Sequence, residues 1–116
     1  MIGQSEMQHL DDDVLDELQQ IMGEDFTLLI STFVSDSKHR YESMQDHWVA
    51  GDLVGLSADA HSLKGSSGNI GAIPLSEFCM QLENKAKAEE MDSIEILIQM
   101  IGKERQAVCD LMAVYL

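Results

Sequence analysis

Residues 53–72 read Leu53-Val54-Gly55-Leu56-Ser57-Ala58-Asp59-Ala60-His61-Ser62-Leu63-Lys64-Gly65-Ser66-Ser67-Gly68-Asn69-Ile70-Gly71-Ala72. Leu53, Leu56, Ala60, Leu63, Ser67 and Ile70 recur at three- and four-residue steps, and Asp52 just before them is a good N-cap residue, so the stretch is an amphipathic helix. Its glycines do not belong to that pattern. Gly65 and Gly68 inside a helix each cost about 1 kcal/mol relative to alanine, which means this composition serves something besides helix stability. Steps of about 100° per residue set His61 on the far side from the apolar arc, facing solvent. Val54, Ser57, Ala58, Lys64, Gly65 and Gly68 share that side, and the glycines at i+4 and i+7 leave the imidazole unshielded. Gly71 ends the helix as a C-terminal glycine.

Outward from this segment the same periodicity continues in both directions. Toward the N-terminus, Asp11-Asp12-Asp13 caps a first helix with Val14, Leu15, Leu18, Ile21 and Met22 as its stripe, and Gly23 ends it. A long second helix from about Glu24-Asp25 carries Phe26, Leu29, Ile30, Phe33, Val34, Tyr41, Met44 and Trp48 and closes at Gly51. Downstream, Pro74 suits the first turn of a fourth helix with Leu75, Phe78, Cys79, Leu82 and Ala86 inward. The last helix is capped by Ser93 and runs through Ile94, Leu97, Ile98, Ile101, Val108, Leu111, Met112 and Tyr115, with Gly102 as its weak position. Short connections make neighbours antiparallel. The expected fold is all-α, an up-down-up-down four-helix bundle preceded by a short N-terminal helix, in one domain over 1–116 with 1–9 as a flexible tail.

Composition excludes several classes of function. Seven Lys and Arg against 21 Asp and Glu give a formal net charge of −14, which repels phosphate backbones and anionic lipid. Partners are therefore expected to be proteins or small cations rather than nucleic acid or membrane. Neither a signal peptide nor a run of about twenty apolar residues is present, and Cys79 and Cys109 lack zinc-site spacing, so they read as buried, reduced thiols of a cytoplasmic protein. Asp11-Asp12-Asp13 with Asp16 has the charge of a calcium loop without its glycine or its alternating oxygens. The glycines of 65–71 follow no strand and precede no Gly-Lys-Ser/Thr, so they are no nucleotide cradle. His9, His39 and His47 read as surface residues without ligand-spaced partners, and no Glu-x-x-His pair offers a metal site in the bundle. The eight methionines read as core fillers, with Met44 placed to reach a docking surface.

What remains is the His61 face. An exposed imidazole is nucleophilic near neutral pH without an activating base, Lys64 one turn away can neutralise a phosphoryl group placed on it, and the glycines admit a second protein closely. Ordinary alternatives stand beside each role: a solvated histidine, a solvated lysine, and glycines that serve helix packing.

The run AHSLKGSSGNIGA followed by PLSEFCMQLE, residues 60–83, resembles the histidine-containing phosphotransfer (HPt) family of multistep two-component signalling. The resemblance implies that His61 is the phosphorylated residue, Lys64 its charge partner and Gly65 the clearance residue, with Gly68 where the family keeps a small side chain. It also implies that Glu83 accepts the imidazole Nδ1 proton, leaving Nε2 to react. A pair with Lys87 at i+4 is the competing reading for Glu83. By the same resemblance the chain takes its phosphoryl group from a receiver-domain aspartyl phosphate of a hybrid sensor kinase. It then passes that group to a response-regulator Asp, as a monomer without autokinase activity or a cofactor of its own. Magnesium belongs to the receiver, and Val54, Ser57 and Ala58 extend the docking surface. The rival function is a stoichiometric module that sequesters a regulator without phosphotransfer.

Overall fold

Where each helix starts and stops follows from local chemistry at its ends. In the computed structural model, which describes residues 8–116, α1 spans Asp12–Met22, α2 Asp25–Ala50, α3 Leu53–Asn69, α4 Ile73–Lys87 and α5 Ile94–Met112, with a 3-10 turn at Ala113–Tyr115. Asp11 caps α1 by accepting from the Asp13 and Val14 amides, and Asp52 caps α3 by accepting from the Gly55 amide at 2.9 Å. Gly51, at φ 74°, closes α2 in the left-handed conformation that glycine adopts without strain. Ser93 differs from expectation. It is left-handed at φ 69° and makes no side-chain cap, because capping needs an extended backbone to aim the hydroxyl at the free amides.

The four long helices pair in a ring, α2 with α3, α3 with α4, α4 with α5, and α5 back with α2, which is the up-down-up-down arrangement. With its 26 residues α2 is about 39 Å long and overhangs α3, which has 17 residues. The overhang is covered by α1 and by the C-terminal turn, where Tyr115 packs edge-on against Phe26 with ring centroids 5.2 Å apart. That is why the bundle carries an extra helix. Its core is built from Leu15, Ile30, Met44, Leu56, Leu63, Leu75, Leu82, Ile94, Ile101 and Met112, all fully buried. Gly102, the weak position of α5, has a packing cause: a Cβ there would overlap the Tyr41 hydroxyl.

Several placements correct the sequence reading. Met44 is wholly inside the bundle and reaches no docking surface, whereas Met80, Met91 and Met100 are exposed. Ile21 and Leu111 sit at the margins of their stripes and face solvent. Cys79 is buried but Cys109 is half-buried at the α2–α5 seam, 3.3 Å from Arg105 Nη1. Burial pushes the Cys79 thiol up to about 12 and raises that of Cys109, which disfavours the reactive thiolate at both. Residues 1–7 of the expected flexible tail lie outside the described residues, while His9 is half-buried, with Nδ1 2.6 Å from Glu104 Oε2. Among the described residues no helix is long and apolar enough to cross a membrane.

Candidate functional site

The turn between α3 and α4 decides which side chains meet. Gly71, at φ +84°, reverses the chain, the Ala72 amide donates to the Ser67 carbonyl at 2.9 Å, and the Asp11 amide donates to the Gly71 carbonyl at 2.9 Å. A Cβ at Gly71 would press on Val14 at 3.1 Å, so this glycine is required by conformation and by contact. Pro74 then fits the first turn of α4, where a missing amide proton costs nothing. Two antiparallel helices leave this turn, and His61 and Glu83, nearly equidistant from it, come level.

His61 Nδ1 lies 3.0 Å from Glu83 Oε2, with the imidazole 68% exposed and the carboxylate side chain only 5% exposed. Lys87 Nζ donates to the same Oε2 at 2.8 Å, and Lys64 Nζ lies 3.0 Å from Oε1. Glu83 thus meets the imidazole and the Lys87 ammonium together, so the two contacts weighed for this residue are present at once. The Lys87 ammonium, then Lys64 and the imidazole, outweigh the effect of burial and hold the Glu83 carboxyl down to about 2. Ionised at neutral pH, that carboxylate can only accept, so the Nδ1 facing it carries the proton. No described residue hydrogen-bonds Nε2, which is turned outward. Two ammonium groups around one carboxylate make this a locally positive spot on a chain whose net charge is −14.

The remaining site candidates divide. Val54, Ala58 and Gly65 are exposed on the His61 side of α3, and a Cβ at Gly65 would meet nothing within 4 Å. Gly68 is half-buried and faces α4. A Cβ there would come within 3.3 Å of Ser76 Oγ, which donates to the Lys64 carbonyl at 2.9 Å, so Gly68 sits in the helix seam rather than on an open face. Ser57, expected on the docking surface, is buried, set in a cleft that the first turns of α3 share with Ala86 and Lys87 at the last turn of α4. Sequence reasoning also missed a polar cluster around Asp59. His47, read as a surface residue, is half-buried with Nδ1 2.6 Å from Asp59 Oδ2, and that hydrogen bond raises its pKa. His39 is exposed. Among the described residues no group of three or more His, Cys, Asp or Glu side chains is placed to hold a metal ion.

The family model of the Hpt domain matches residues 28–109. The crystal structure of histidine-containing phosphotransfer protein B (HptB) from Pseudomonas aeruginosa PAO1 is similar at 39% identity and a TM-score of 0.89, over 90% of this chain and 91% of that one. A rice protein of the histidine-containing phosphotransfer type shares the fold at 17% identity and a TM-score of 0.81, over 97% of this chain and 83% of the other. No curated protein sequence matches. The chain belongs to the Hpt domain family.

Proposed function

We propose that this chain is a phosphorelay intermediate in which His61 takes a phosphoryl group from the aspartyl phosphate of one receiver domain and gives it to the Asp of another. The observation that carries this reading is the division of labour on one ring, with Nδ1 held by a buried carboxylate and Nε2 presented to solvent. In the forward step the Nε2 lone pair attacks phosphorus, the bond from phosphorus to the aspartyl oxygen breaks, and the carboxylate leaves with the electron pair. Nδ1 keeps its proton. The ring therefore gains positive charge as the new bond forms, and Glu83 at 3.0 Å stabilises it. Lys64 and Lys87, whose ammonium groups lie 3.0 and 2.8 Å from Glu83, supply positive charge for the arriving phosphoryl oxygens. Each can exchange part of its contact with Glu83 for one with phosphate, a stronger anion. A magnesium ion used in the reaction would belong to the receiver's site. HptB, 39% identical over nearly the whole length, is by its name a histidine-containing phosphotransfer protein, which supports the same assignment here.

Incubation with a phosphorylated receiver domain tests the reading. A relay takes up acid-labile phosphate, whereas a sequestering module binds the receiver and takes up none. Lys64→Ala is expected to slow uptake about ten-fold while leaving the melting temperature nearly unchanged, since it removes transition-state charge stabilisation at a side chain that is partly exposed. The double variant with Lys87→Ala is expected to be slower still, and an unaltered rate in both would return these residues to the role of solvated lysines.

Docking makes a second prediction. Gly65→Gln adds bulk where nothing lies within 4 Å, so it should block the receiver and hold or raise stability, the helix gaining up to about 1 kcal/mol. Gly68→Gln should instead displace Ser76 and lower stability together with transfer. Thermal melts alongside uptake rates distinguish the two glycines, and a stable Gly65→Gln with full uptake would remove the clearance role.

A further inference from the structure

Two residues before His61, on the opposite side of α3, the Asp59 side chain is only 3% exposed. It takes three donors, all from α2: Arg40 Nη1 at 2.9 Å, Ser43 Oγ at 2.8 Å and His47 Nδ1 at 2.6 Å. Positions 40, 43 and 47 form a helical stripe, so one face of α2 converges on a single carboxylate of α3. Gly55 makes the room for this arrangement, because a Cβ there would lie 2.6 Å from the His47 ring. Residues two apart are separated by about 200° around the helix axis, so α3 is gripped on the side away from the imidazole.

Stability alone does not call for such a cluster, since a well-packed apolar pair in its place is often as stabilising as a buried ion pair. Directional bonds fix an angle, which apolar packing does less sharply. A roll of α3 by about 10° moves groups 5–6 Å from its axis by about 1 Å. That displacement takes the His61–Glu83 contact from 3.0 Å out of hydrogen-bond range. We propose that Asp59, held by Arg40, Ser43 and His47, is the positioning residue for His61, setting the roll of α3 so that Nδ1 meets Glu83 and Nε2 faces the partner. The catalytic consequence rests on His61 as phosphoryl acceptor, whereas the geometric consequence does not.

The experiment uses the full chain labelled with 15N-histidine, at alkaline pH where free imidazole is neutral. Long-range proton–nitrogen spectra then report which nitrogen of His61 carries the proton. The parent is expected in the Nδ1–H form. Asp59→Ala should give a mixture with the Nε2–H form and take up phosphoryl from a receiver at least about ten-fold more slowly, with the helical circular dichroism retained. Asp59→Asn, which keeps the size and part of the accepting capacity, should recover part of both signals. A folded Asp59→Ala with the parental tautomer and rate overturns the proposal. Should that variant fail to fold, Ser43→Ala removes a single donor, and a parental tautomer and rate there overturn it equally. Because the tautomer is read without a partner, failure of the parent to accept phosphate would defeat the functional reading while the spectra still decide the positioning role.

Discussion

His61→Gln is expected to fold like the parent and to take up no phosphoryl group from any receiver. The ring is 68% exposed, and among the described residues its polar contact is with Glu83. A glutamine amide can still donate to that carboxylate, and Lys64 and Lys87 continue to satisfy it, so the stability change should stay below about 1 kcal/mol. What disappears is the nucleophile, because an amide nitrogen has no available lone pair. The other three histidines are not expected to substitute. His9 is tied to Glu104 and His47 is held against Asp59, while His39, though exposed, lies on α2 beside Glu42, and none of them stands on the open face of α3. Uptake assayed beside a thermal melt checks both halves of the expectation, and residual uptake at the parental level would mean that the acceptor lies elsewhere.

Glu83→Ala is expected to have the next largest effect, on transfer and stability together. One carboxylate hydrogen-bonds the imidazole and the Lys87 ammonium and pairs with the Lys64 ammonium at 3.0 Å, so its removal frees the imidazole to change tautomer and leaves two ammonium groups without their shared anion. By analogy with the partners that orient metal-ligating histidines, its loss is expected to slow uptake by about 10- to 100-fold. The lost hydrogen bonds to a charged group lower stability by about 1–3 kcal/mol. Their pH dependence has a definite sign. A carboxyl held at about 2 in the folded chain, against 4.5 ordinarily, contributes stability that is fully present above the ordinary value and is lost as pH falls from there toward 2. The gap in unfolding free energy between parent and variant should therefore be constant from neutrality to about pH 5 and shrink below it. A gap that does not change in acid would assign the role of Glu83 to packing. Glu83→Gln, which keeps the shape and one acceptor, should fall between parent and alanine in uptake rate.

Much of this architecture can be read from the residues, for physical reasons that also mark where reading stops. Helix order follows from apolar spacing and from Gly23, Gly51 and Gly71, since both signals act within a few residues of chain. The meeting of His61 with Glu83 follows from a tight turn between two helices and nearly equal distances from it. Angular position tells which way a side chain leaves its own helix, but not which neighbour lies above it. Hence Ser57, nominally on the open side of α3, proves buried, and Gly68 proves half-buried against Ser76 of α4. Polar residues carry no hydrophobic signal, so the convergence of Arg40, Ser43 and His47 on Asp59 looks like four unrelated surface positions. Lys87 is legible as an i+4 partner of Glu83, yet only the folded chain reveals that the same oxygen serves both His61 and Lys87.

The most direct test of the account is the identity of the atom that carries phosphate. Chain labelled with 15N-histidine, incubated with a phosphorylated receiver domain and observed by phosphorus–nitrogen correlation, should show a single phosphoryl group bonded to Nε2 of His61, with the proton still on Nδ1. Phosphate on Nδ1, on another residue, or on none after the receiver has demonstrably bound, would contradict it.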